Sequence, residues 1–301
     1  MNRPPTPTPA TRAFDSVRDP LVVQALEAAL DGDVRALVGP LGRHSGLPGP
    51  RPNLAFAQAV AAHLAAMGPR SDRLVRALAQ VDSTWAPAGT TAEFLPLCGA
   101  LAQAARYRAG RDRRGALATL HAMAEDRRWL VREAVELSLK TIGGIDPDAL
   151  AAELASWTDG YLHASVALDA LTAQSLLDRL TTPDAVLDRL DEAFHLASSA
   201  PRSHERSQGW RTLVSALARA SSAVLGRFGA LAAERLAPHA LTKVPELRQA
   251  LAEGLHHARG ARTGGDALDT VRQALVTSEP TVRDPRTIVG PTRGRGRKRA
   301  R

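Results

Sequence analysis

Cysteine is almost missing from this chain, whose 301 residues hold only Cys98. A single thiol excludes an internal disulfide framework and any multi-cysteine zinc or iron–sulfur centre. Aromatic residues make up only 4%. The apolar content is mostly Ala and Leu, which favours packed helices over a sandwich or barrel. No stretch approaches the roughly 20 uninterrupted apolar residues of a membrane span. Residues 1–11 alternate Pro and Thr, without the apolar core of a signal peptide. These absences lead to the expectation of a cytoplasmic protein with no membrane partner. Lysine is scarce too, 3 residues against 36 arginines, and genomic base composition accounts for that ratio as readily as side-chain chemistry does.

What is present is charge, unevenly placed. The net charge is +8. Residues 281–301 hold eight basic side chains and one acid, a net +7, so residues 1–280 are left near +1. The closing run contains Arg293, Arg295, Arg297, Lys298, Arg299 and Arg301 among Gly, Pro, Thr and Ala. It lacks apolar residues to offset the entropy of ordering, so a disordered basic tail is expected over 281–301. Such an arm attracts nucleic acid or an acidic partner without sequence preference. The alternative is a solubilising tail with no specific partner.

Between the ends, apolar positions recur at three- and four-residue steps. The segments are 21–30, 54–67, 94–105, 116–123, 130–142, 150–157, 162–171, 186–196, 210–225, 228–236, 247–255 and 268–276. Breaks are expected at Gly39-Pro40, Pro48-Gly49-Pro50, Gly68-Pro69, Gly143-Gly144, Pro183, Pro201, Pro245 and Gly264-Gly265. No alternating strand pattern stands out, and the chain reads as all-α. Its expected organisation is a disordered Pro/Thr-rich segment at 1–15, an N-terminal helical cap with a Pro/Gly linker at 16–52, a helical repeat domain at 53–276, and the tail.

Helices of this length and spacing call for a search for repeats. Residues 117–126 align with 150–159 at an offset of 33, pairing Asp126 with Asp159. The following helices align at an offset of 31, which pairs Val131 with Leu162 and Arg132 with His163. Asp146-Pro147-Asp148 and Thr182-Pro183-Asp184 form a third match at 36. In each, a capping residue precedes a Pro suited to the first helical position, with an acid where the helix dipole favours one.

The best unit, residues 113–142, resembles a HEAT repeat, with Asp126 and Val131-Arg132 at that family's usual Asp and Val-Arg positions. The resemblance is clear over 113–172 and weaker over 183–259. It implies a right-handed α-solenoid of antiparallel helical hairpins, stacked because no hairpin buries its apolar stripe alone. It also implies a ladder in which Asp126 caps the second helix and Arg132 reaches an acid of its own or the next repeat. Glu136 and Lys140 are expected to pair at i,i+4. A solenoid of this kind serves mostly as a binding ridge, which points to a non-enzymatic adaptor with a protein partner on its curved face. The polar interruptions at 106–114 and 201–209 are where partner contacts are expected.

Catalytic chemistry has little to stand on. Adjacent His256 and His257 point to different helix faces and cannot chelate in the i,i+4 manner. Cys98 lies in an apolar helix, where a core thiol is expected. Ser45 has no nucleophile-elbow context, and the glycine-rich stretches lack the Lys-Ser/Thr of a phosphate loop. No metal or cofactor is expected. One enzymatic alternative rests on resemblance. The tract Trp129-Leu130-Val131-Arg132-Glu133 is similar to the Trp/Arg signature of bacterial DNA alkylation repair proteins, which are built from HEAT-like repeats. That likeness implies DNA binding and a base pocket formed by Trp129, Arg132, Trp157 and Asp159, with Trp85 and Trp210 farther off. A structural subunit of a larger assembly is the remaining alternative.

Overall fold

The computed structural model describes residue 17, residues 19–258 and residues 265–278. The expected N-terminal segment at 1–15 and the tail at 281–301, including Arg293, Arg295, Arg297, Lys298, Arg299 and Arg301, lie outside the described residues. Those residues form fifteen α-helices joined by short 3-10 turns, and no strand occurs among them.

The chain opens with α1 (Pro20–Ala28) and α2 (Val38–Gly42). There follow α3 (Leu54–Ala66), α4 (Asp72–Ala79), α5 (Phe94–Arg108), α6 (Arg113–Ala124), α7 (Trp129–Gly143) and α8 (Pro147–Glu153). The remainder comprises α9 (Tyr161–Leu171), α10 (Gln174–Leu177), α11 (Pro183–Ser198), α12 (Gln208–Phe228), α13 (Ala230–Leu236), α14 (Pro245–Ala258) and α15 (Gly265–Thr277). All twelve periodic segments read from the sequence fall on helices. The short α2, α4 and α10 were not among them. Gly39-Pro40, expected as a break, lies inside α2. A proline that early in a helix removes only an N–H that has no helical acceptor.

Each of α3, α5, α7, α9, α12 and α14 packs on the next, forming one continuous row. A second row is made by α4, α6, α8, α11, α13 and α15, each set against one to three helices of the first. One apolar cluster runs through both rows, from Val17 near the start to Val271 in α15. Close approach is built in at Gly99 of α5, where a Cβ would stand 2.5 Å from the backbone nitrogen of Ala79 at the end of α4. Cys98 is fully buried beside it, and burial pushes its thiol pKa far up, so it is a core residue.

Caps and turns account for the helix ends. Asp146 accepts the Ala149 N–H at 2.9 Å and Pro147 opens α8, as the sequence pattern implies. At the matching start of α11, Thr182 makes no side-chain cap. The acid of the previous unit takes that role, because Asp148 accepts the Thr181 and Thr182 N–H groups and the Thr181 hydroxyl.

Arginine supplies many of the ties between helices. Arg106, 2% exposed, pairs with Asp72 and Asp112 and donates to Gln103. Arg179 donates to the Gly144 and Ile145 carbonyls, and Arg219 grips Asp169 with two bonds. One planar fork satisfies several acceptors at fixed angles, which a lysine ammonium does not. The polar stretch 106–114 is therefore partly structural, although Arg113 and Arg114 line an open pocket.

Candidate functional site

The aligned units carry their acids at the same place, just before the first-row helix. In the first unit the ladder forms differently from expectation. The Asp126 carboxylate is taken by Arg128, two residues on, through Nε at 2.9 Å, Nη2 at 2.6 Å and the backbone N–H at 2.8 Å. Arg128 is 3% exposed, and its remaining donors reach the carbonyls of Val81, Asp82 and Ala86. Arg132 donates to the main-chain oxygen of Asp126 at 2.6 Å rather than to its carboxylate. No side chain caps α7. Glu136 and Lys140 do pair.

In the second unit the residue two places after the acid is Tyr161, which leaves Asp159 without an arginine. Asp159 Oδ1 instead receives two imidazoles, His163 Nδ1 at 2.9 Å from one turn along α9 and His121 Nε2 at 3.1 Å from the end of α6. The two rings stack, with centroids 3.8 Å apart and planes 17° from parallel. Trp157 sets its edge against both. His163 is 6% exposed, and neither of its ring nitrogens has a hydrogen-bond partner among the described residues. Its Nδ1 is close to Oδ1 but off the line that a hydrogen bond needs.

Gly160 keeps space open beside this group. A Cβ there would stand 2.8 Å from His163 Nδ1 and 3.2 Å from Glu125 Oε1, so the Glu125 carboxylate also faces the cluster. His121, Trp157 and Asp159 border a pocket of about 580 Å³, whose other walls include Arg113, Arg114 and Glu153. Tyr107 donates to Glu153 at 2.8 Å and fixes that wall; burial, reinforced by the Glu153 carboxylate, pushes the phenol pKa up to about 12.

A second concave feature lies between α12 and α14. Two adjoining hollows of about 250 and 410 Å³ share Ser215 and Glu253. Arg211 and Arg219 stand on the α12 side, and Glu246, Glu253 and His257 on the α14 side, over Val214, Ala218 and Ala250.

Of the four residues that the repair likeness implies, Trp157 and Asp159 line one pocket, while Trp129 and Arg132 do not line it. Trp157 is 3% exposed and packed on histidines, Arg132 is committed to Asp126, and Trp129 stands 53% exposed at the start of α7. Trp210 is a core residue, donating its indole N–H to the Ala197 carbonyl at 3.0 Å. Ser45 is fully buried, and its hydroxyl serves only the local turn at Gly42 and Leu47. The cluster of His121, Asp159 and His163 was missed from sequence. The i,i+4 spacing of Asp159 and His163 was a usable signal, but His121, 38 residues before Asp159, joins them only through folding. Comparison with family models, with curated proteins and with solved structures returned no match.

Proposed function

We propose that the chain is a HEAT-like, right-handed α-solenoid of antiparallel hairpins, a cytoplasmic and non-enzymatic adaptor that holds a protein partner on its curved repeat face. The row-by-row order of helix contacts supports the stacked-repeat reading. The observation that carries the partner reading is the groove between α12 and α14. Arg211 on one wall opposes Glu246 and Glu253 on the other above a floor of small apolar groups, with Arg219, tied to Asp169, at the edge. A mixed groove of this kind suits a peptide of alternating charge. A surface that grips duplex DNA would require a continuous basic excess. In this reading the six basic side chains from Arg293 to Arg301 add nonspecific affinity for nucleic acid or an acidic surface.

Two measurements test it. In a salt series on duplex DNA, a 1–280 truncation should lose nearly all the affinity of the full chain. The tail should give a log–log slope no steeper than about −5. A photo-crosslinker placed at Ser222 should trap a discrete protein whose adduct disappears when Arg211→Glu and Glu253→Arg are introduced separately. Tight, lesion-dependent DNA binding that survives the truncation would instead support the repair-like alternative.

A further inference from the structure

We propose that His121, Asp159 and His163 form a binding site for one borderline divalent transition-metal ion of the zinc class. One ligand atom from each residue lies within 4.8 Å of the others. Around zinc, bonds of about 2.0–2.2 Å at tetrahedral angles put neighbouring ligand atoms about 3.3 Å apart. The two nitrogen-to-oxygen separations here, 2.9 and 3.1 Å, are close to that edge length. The oxygen is therefore within reach of both nitrogens, and an ion would be taken up by turning the stacked rings, now 17° from parallel, until their lone pairs converge on it.

The state of His163 argues for an ion over a simple ion pair. A buried imidazole held only by a carboxylate would align one N–H with it. This ring stands 2.9 Å from Asp159 with neither nitrogen hydrogen-bonded, and it is more than nine-tenths buried. An idle buried nitrogen is costly, and a metal ion would give its lone pair a partner. The space beside Nδ1 is there because residue 160 has no side chain.

Ligand chemistry sets the class of ion. Two imidazoles and one carboxylate favour zinc, cobalt, nickel or copper over magnesium and calcium, which prefer all-oxygen sets. Three protein ligands leave a fourth position. Water from the adjoining pocket can take it, or Glu125 after a side-chain rotation. Because His121 belongs to one unit and Asp159 and His163 to the next, the ion would also clip two neighbouring units together. None of this depends on the adaptor reading.

The test uses the full chain, stripped with a chelator and dialysed against micromolar ZnCl2, then separately titrated with CoCl2. We expect one zinc per chain, a visible cobalt spectrum of four- or five-coordinate intensity, and a rise in Tm with zinc. Asp159→Asn and His121→Ala, both at partly exposed positions, should each weaken binding at least tenfold and abolish the rise in Tm. A His256→Ala, His257→Ala double variant should bind as the parent does. Circular dichroism separates loss of ligand from loss of fold. The proposal is overturned if no stoichiometric zinc is retained, if both single variants bind zinc like the parent, or if the double variant is the one that loses it.

Discussion

The units at 113–143 and 147–171 place an aspartate at matched positions, Asp126 and Asp159, yet the two acids have opposite fates. Asp126 is wrapped by Arg128, whose remaining donors are spent on three carbonyls of the preceding loop. Asp159 is 53% exposed and meets two histidines instead. The difference comes down to two side chains. Two residues after the acid the first unit has Arg128 and the second, with its shorter turn, has Tyr161; within the helix, Arg132 is matched by His163. An always-charged fork with fixed geometry closes its surroundings into a structural joint. Imidazoles, with a lone pair to give and a weaker hold on the acid, leave the same place open to a ligand.

The largest expected effect comes from breaking the closed joint. Arg128→Ala would leave the Val81 and Ala86 carbonyls buried without a donor and Asp126 without its main counter-charge. Losing one partner of a buried pair costs about 3–5 kcal/mol. Urea unfolding should show that loss as a lower midpoint, with the slope unchanged. Arg128→Lys should recover only a minority of it, since one ammonium cannot span acceptors on both sides. A drop of less than about 1 kcal/mol would mean that the joint is not what holds the 79–90 loop to α7.

Placing an arginine in the open joint sharpens the comparison further. His163→Arg introduces the side chain that the first unit carries at the matched position, where Arg132 is accommodated at 8% exposure. By analogy with Arg132, the new guanidinium should donate to the main-chain oxygen of Asp159, and with one imidazole ligand lost and a positive charge in its place, zinc retention should fall at least tenfold while helicity is kept. Gly160→Ala probes the same space more gently, with a loss at the lower end of the 10–100-fold range seen for groups that surround metal ligands. Undiminished zinc binding in His163→Arg would break the link between the repeat position and the site.

Much of the helical layout was legible beforehand, because buried positions such as Leu120, Val131, Val135 and Leu139 recur at helical spacing. Short α4 escaped notice although Leu74, Val75 and Leu78 form a buried stripe, since eight residues give two turns and little periodicity to read. The acid positions were also visible, but their partners were not. Nothing in the sequence shows that Arg128 outcompetes Arg132 for Asp126; that follows from the Val81 and Ala86 carbonyls, which lie more than 40 residues away. The departure at His163 was visible in the alignment. Its meaning depended on His121, brought there by the packing of α6 against α9.

The smallest effect concerns an acid buried behind the closed joint. Glu93 is 1% exposed; its Oε2 accepts the Gly89 N–H at 2.6 Å, while Oε1 has no hydrogen-bond partner among the described residues. Burial raises its pKa above the ordinary 4.5, and nearby Asp126 adds to the rise. The Gly89 N–H and the Arg128 charge oppose it without cancelling it. The folded chain then holds this proton at pH values where the unfolded chain has released it. Its stabilising contribution is complete below the ordinary carboxylate range and is lost as pH climbs through the raised value. Glu93→Gln keeps an acceptor for Gly89 but cannot ionise. The urea midpoint of the parent should therefore fall relative to Glu93→Gln as pH rises above 4.5, with the gap levelling off once the buried acid is ionised. A gap that is constant with pH, or that narrows on the way up, would show that Arg128 holds Glu93 charged and that the joint reaches one residue deeper than its hydrogen bonds do.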